Sequence, residues 1–115
     1  MARLCDLSCK ACRGDLPVLR GRELAEYLRQ VPDWTLVEEH HISRTLKFPD
    51  FATALAFVHR VGAVAEEEGH HPNIHLSWGK VTIDLWTHKV DGLTQSDFIL
   101  AAKVDRLVGA TRSPR

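Results

Sequence analysis

Two adjacent histidines stand against a proline in "EEEGHHPNIHLSWG" (residues 66–79), in a chain of 115 residues that holds seven histidines. Imidazoles are poor core filler. Near neutrality they give and take protons, because their unperturbed pKa is about 6.5. Inside a helix, neighbouring side chains diverge by about 100° and would not grip one small ligand together. Pro72 disfavours helical backbone at His71, so His70 and His71 are expected at a helix-to-strand corner, both rings lining one cleft. Glu66 precedes His70 by four residues, one helical turn back, and its carboxylate is expected to orient that ring. His88 falls at the far end of a later alternating stretch, whose hairpin path leads back beside Pro72. Three histidines and a carboxylate in one cleft would form an acid–base site.

A catalytic zinc is the weaker reading of the same residues. Adjacent ligands are awkward for one tetrahedral ion, and the HExxH spacing is absent. Cys5, Cys9 and Cys12 have a CxxxCxxC spacing that resembles the iron–sulfur loop of radical SAM enzymes. Those enzymes need a large partial barrel, for which this chain has neither the length nor the strand–helix alternation. A zinc knuckle would lack its fourth ligand, so the three cysteines read as a reduced tail.

The other histidines promise less. His40 and His41 fall at a predicted hairpin turn and are expected to be exposed. His59 sits at the margin of a helical apolar stripe, where a packed or interface histidine is expected, and His75 lies in a strand next to the site. Trp34, Trp78 and Trp86 suit a planar heterocycle, although each one separately is more simply core.

The elements that must position these groups follow from periodicity. Residues 1–20 show none and read as an irregular lead-in; 21–112 read as a single domain. "GRELAEYLRQVP" carries Leu24, Tyr27, Leu28 and Val31 on one helical side and ends at Pro32. Trp34 and Leu36, then Ile42, Leu46 and Phe48, alternate around a turn near "EEH", a β-hairpin. Pro49 and Asp50 open a long helix with Phe51, Leu55, Val58, Val61 and Ala65 as its apolar face and Gly69 as its stop. A second hairpin places Ile74, Leu76 and Trp78 opposite Val81, Ile83 and Leu85, with the turn near Gly79. A last helix starts with Thr94 three residues before Asp97, a variant capping box, and buries Leu100, Ala101, Val104, Leu107 and Val108. Two hairpins can join into one four-stranded antiparallel sheet with the three helices packed on one face, an α+β fold. The uncovered face and the sheet edges make self-association an expectation.

Composition narrows the classes. Fifteen basic and fifteen acidic residues balance, which gives no electrostatic footprint for nucleic acid or a membrane surface. Apolar runs such as "FATALAFV" fall short of the roughly 18–20 residues of a membrane span. The N-terminus has no secretory apolar core, and three clustered cysteines make no disulfide framework, so a reducing cytoplasm is expected.

The run Glu66, three residues, His70-His71-Pro72, five residues, Trp78, nine residues, His88, eight residues, Asp97 resembles the signature of the pterin-4a-carbinolamine dehydratases. The likeness spans roughly residues 20 to 110; the cysteine-bearing lead-in lies outside it. It implies four antiparallel strands with three helices on one face, assembled as dimers or tetramers. It also implies dehydration of 4a-hydroxytetrahydropterins to quinonoid dihydropterins, without metal or organic cofactor, in service of aromatic amino acid hydroxylases. By that analogy His70 and His88 are acids that meet the departing hydroxyl, and His71 binds the pterin and takes or relays the N5 proton. Glu66 orients a histidine, Pro72 fixes the corner, Trp78 shapes the pocket wall, and Asp97 completes the substrate-binding set. Animal members also bind a homeodomain transcription factor. The competing reading is therefore a non-catalytic protein-binding module on the same fold, an assembly factor or transcriptional dimerisation cofactor.

Overall fold

The computed structural model describes residues 17–112. Helix α1 (Gly21–Gln30) leads into strands β1 (Thr35–Val37) and β2 (His41–Lys47). Helix α2 (Phe51–Glu68) separates these from β3 (Asn73–Ser77) and β4 (Lys80–Leu85), and helix α3 (Gln95–Arg112) closes the order. The strands form one antiparallel sheet in the order β1-β2-β4-β3. The fold is α+β.

Strand alternation decides which face the helices cover. Ile42 and Leu46 on β2 and Val81, Ile83 and Leu85 on β4 are buried and share one core with Leu24, Phe57, Phe98 and Val104 from the three helices. Their neighbours Ser43, Thr45, Thr82 and Asp84 are half-buried or exposed on the opposite face, as period-two geometry requires. Arg44 also points inward. Its guanidinium meets Asp105 of α3 at 2.5 Å, and Trp34 Nε1 donates to the same oxygen at 2.8 Å. Trp34 is thus a core residue with a satisfied indole N–H.

Two turns need particular backbones. Glu38 and Glu39 have φ of 53° and 55°, the paired left-handed residues of a tight hairpin turn. His40 N–H donates to Val37 C=O across it at 2.9 Å. At the other hairpin, a Cβ on Gly79 would stand 2.8 Å from the Phe48 carbonyl oxygen, so only glycine fits.

Two sequence expectations need correction. The buried face of α2 is Ala54, Phe57, Val61 and Ala65, whereas Phe51 and Leu55 are 44% and 48% exposed. The helix is apolar almost all round its first two turns, so periodicity alone does not select the core side. Trp78 does not extend the alternation of β3; it sits in the turn before Gly79 and is 68% exposed. No helix among the described residues is long and apolar enough to cross a membrane. Cys5, Cys9 and Cys12 lie outside the described residues.

Candidate active site

The site begins at the end of α2. Gly69 takes φ 68° in the left-handed region, a conformation that costs any residue with a Cβ roughly 1–2 kcal/mol. Its N–H donates to Glu66 C=O at 3.3 Å and His70 N–H to Ala65 C=O at 3.2 Å, the paired bonds of a Schellman motif. The chain therefore reverses before the histidines. His70 goes inward and is buried, while His71 stays exposed. Pro72 then starts the extended run into β3.

That reversal corrects the expected pairing. Glu66 Oε2 accepts from His71 Nε2 at 2.6 Å, not from His70, because position 70 no longer lies one helical turn past position 66. His70 Nε2 instead donates to Asp97 Oδ1 at 2.6 Å. Asp97 is fully buried at the start of α3. Its Oδ2 accepts from Thr94 N–H at 2.9 Å, the carboxylate half of a capping box. The same oxygen accepts from Thr87 Oγ1 at 2.9 Å, and Thr94 Oγ1 donates in turn to Thr87 Oγ1 at 2.8 Å. One carboxylate thus caps a helix and aligns an imidazole. Held at Nε2, His70 has its Nδ1 left for a ligand.

His88 follows β4 on the turn 87–92, which closes through paired backbone bonds between Thr87 and Gly92. Since Asn73 pairs with Asp84, the continuation of β4 runs beside the histidine pair. An open cavity of about 220 Å³ results, lined by Gly69, His70, His71, Trp86, Thr87, His88 and Lys89. Its aromatic wall is Trp86, whose ring lies 4.4 Å from that of His88 between centroids.

The structure brings His70, His71, His88 and Asp97 together, with Glu66 and Pro72 at the edge. It does not bring in Trp78, which occupies the far end of the β3–β4 hairpin. The wall role expected of Trp78 falls in this chain to Trp86, which follows the end of β4 and stacks beside His88 as the next turn begins. The sequence assigns no site role to Thr87 or Lys89 and marks Thr94 only as a helix cap. His40 and His41 are half-buried rather than exposed: their rings pack against Trp86 at 5.1 and 5.7 Å. His59 is exposed on α2. His75 faces Asp84 at 3.5 Å on the outer side of the sheet.

Among the described residues no group of three or more His, Cys, Asp or Glu is placed to hold a metal ion. Chemically the cavity offers ring nitrogens of three histidines around one small volume, two of them aligned by carboxylates. Such a set can deliver a proton to one atom of a bound ligand and remove one from a neighbour.

The relatives match most of this chain. The family model described as pterin 4 alpha carbinolamine dehydratase matches residues 17–107. A Rubrobacter xylanophilus protein, provisionally named pterin-4-alpha-carbinolamine dehydratase, is 51% identical over 107 residues, covering 93% of this chain and 100% of its own. A Syntrophotalea carbinolica protein with the same provisional name is 47% identical over 111 residues, 94% of this chain and 99% of its own. A Brucella melitensis crystal structure, described as transcriptional coactivator/pterin dehydratase, aligns with TM-score 0.76 at 33% identity, over 81% of this chain and 100% of that one. A pterin dehydratase-like protein, described as a RuBisCO assembly factor in the alpha-carboxysome, aligns with TM-score 0.58 at 28% identity, over 67% and 90%. By sequence over its folded region, this chain belongs to the pterin 4 alpha carbinolamine dehydratase family.

Proposed function

We propose that the chain is a dehydratase that converts a 4a-hydroxytetrahydropterin to the quinonoid dihydropterin. The observation that carries this reading is the meeting of His70, His71 and His88 on one cavity, in a chain of this family. In the reaction the C4a–O bond breaks and the hydroxyl leaves as water after taking a proton. N5 loses its proton, and the electron pair of that N–H bond forms the C4a=N5 double bond. Hydroxide is a poor leaving group and N5–H a weak acid, so the step needs a donor and an acceptor together.

His70 and His88 are assigned as the acids that meet the leaving hydroxyl. His71 binds the pterin and takes or relays the N5 proton, with Glu66 fixing its Nε2. Asp97 works through His70: it accepts the Nε2 proton throughout, so Nδ1 is the nitrogen that carries the acid's proton and gives it to the hydroxyl, as a buried aspartate orients a catalytic histidine. Trp86 offers a flat surface for the bicyclic ring. No step calls for a metal or organic cofactor. The physiological role inferred is pterin recycling for aromatic amino acid hydroxylation, in the cytoplasm, by a self-associated protein.

A second reading is supported by two structural neighbours, one described as a transcriptional coactivator/pterin dehydratase and one as a RuBisCO assembly factor. On that reading the chain is a protein-binding module. The test is the rate of quinonoid dihydropterin formation from chemically generated carbinolamine, with the spontaneous rate subtracted. The dehydratase reading expects acceleration that His88→Ala and His70→Ala each cut by about a hundredfold. Wild-type protein that adds nothing to the spontaneous rate would discard the enzyme in favour of the module.

A further inference from the structure

Beside Trp86, His40 and His41 form a cluster with Asp91, and the reaction above uses none of these three residues. His40 Nε2 donates to Asp91 Oδ1 at 2.7 Å, and the two Nδ1 atoms of His40 and His41 lie 3.1 Å apart. Only one proton can sit between those nitrogens, so with His40 donating through Nε2 the tautomers of the pair are coupled. Both rings pack on Trp86, which in turn contacts the ring of His88. Asp91 belongs to the turn 87–92 that carries His88. Two different elements, the β1–β2 turn and the β4–α3 turn, are thereby tied at one point.

Backbone strain marks the same place. The non-glycine residues with left-handed φ among those described are Glu38, Glu39 and Asp91, at 53°, 55° and 52°. All three lie in the two turns that the His40–Asp91 bond joins. Such residues persist where the surrounding contacts over-determine them, and they concentrate at pre-organised sites. As a stability device the pair would contribute little, since the Asp91 side chain is 84% exposed and exposed ion pairs are weak. Placement of the turn is the better account.

We infer that His40 is a positioning residue: through Asp91 and Trp86 it fixes the 87–92 turn and so sets where the His88 imidazole stands in the cavity. The inference rests on the dehydratase reading for its effect on turnover, but not for its effect on geometry. His40→Ala removes both ties. His40→Gln keeps an N–H at the reach of Nε2 and restores the bond to Asp91. Asp91→Gly removes the carboxylate while relieving rather than adding backbone strain.

Dehydration kinetics and histidine ring and indole ¹⁵N NMR on the full chain make the test. Expected are shifted His88 and Trp86 ring signals in His40→Ala and Asp91→Gly, near wild-type signals in His40→Gln, and unchanged unfolding midpoints. The same two variants should lose kcat on the order of tenfold with KM little changed, and His40→Gln should recover it. Unmoved His88 and Trp86 signals in His40→Ala would overturn the inference whatever the activity. If wild type shows no dehydration while those signals move as expected, the clamp stands and the dehydratase reading alone fails. A loss of kcat in His40→Gln equal to that in His40→Ala would also refute a role through the Asp91 bond.

Discussion

The carboxylate of Asp97 holds the imidazole of His70 at 2.6 Å across a separation of 27 residues, linking the start of α3 to the reversal that ends α2. Because that carboxylate also accepts from Thr94 N–H and Thr87 Oγ1, site geometry and helix capping cannot vary independently. Asp97→Ala would strand three buried donors, each worth about 1–3 kcal/mol when unpaired. We expect it to lower the urea midpoint severely. Asp97→Asn keeps one carbonyl acceptor and should fold, with a smaller loss of stability and a turnover reduced about a hundredfold through a misaligned His70. Urea titration beside the dehydration assay separates the two effects; an Asn variant with wild-type turnover would dismiss the alignment role.

Gly69 carries the reversal itself. A Cβ there meets nothing within 4 Å, so Gly69→Ala is opposed only by its φ of 68°. The expected cost is about 1–2 kcal/mol, measured by thermal or urea unfolding. A larger kinetic effect than a stability effect is expected as well, because the turn decides that His70 and not His71 goes inward.

Much of this arrangement is legible in the sequence itself. Alternation marked the strands, and Thr94 with Asp97 marked the start of the last helix. What sequence spacing alone could not give was the consequence of one left-handed residue. Four residues from Glu66 to His70 look like a helical turn, but Gly69 redirects the chain and hands Glu66 to His71. Trp86 was obscured for a similar reason: beyond the last ladder pair of β4 its side depends on whether the extended path continues, which periodicity does not fix. His40 gained partners at Trp86 and Asp91 only through tertiary approach of two turns.

Two aspartates outside the cavity should give pH dependences of opposite sign. Burial raises the pKa of Asp105, against the hydrogen bond from Trp34 and the charge of Arg44 that lower it. A folded pKa above the unfolded one means that its contribution to stability is fully present below the unfolded pKa and lost as pH rises through the folded pKa. Asp50, the N-cap of α2, is lowered by hydrogen bonds from the Thr53 side chain and backbone. Its contribution is present above the unfolded pKa and lost as pH falls through the folded one. Relative to wild type, Asp105→Asn should therefore improve with rising pH across the carboxylate range, and Asp50→Asn should worsen. Urea midpoints at several pH values would show it; parallel curves for the two variants would contradict both assignments.

Phe51 and Leu55 present the second apolar side of α2 to solvent, one helical turn apart, at 44% and 48% exposure. Two large side chains at this spacing form a stripe, since residues four apart on a helix are neighbours. The inward side of the same helix is already filled by Ala54, Phe57, Val61 and Ala65, so the stripe has no place left in its own core. Exposed apolar stripes of this kind mark association surfaces, and another copy of the helix offers a matching stripe by symmetry. Leu55→Lys is then expected to lower the sedimentation coefficient of the purified protein while leaving its far-UV spectrum unchanged. A charge buried between helices costs far more than one on a free surface, so the size of the shift reports whether the stripe is covered. Wild type and Leu55→Lys sedimenting together as monomers would show that the stripe faces only water.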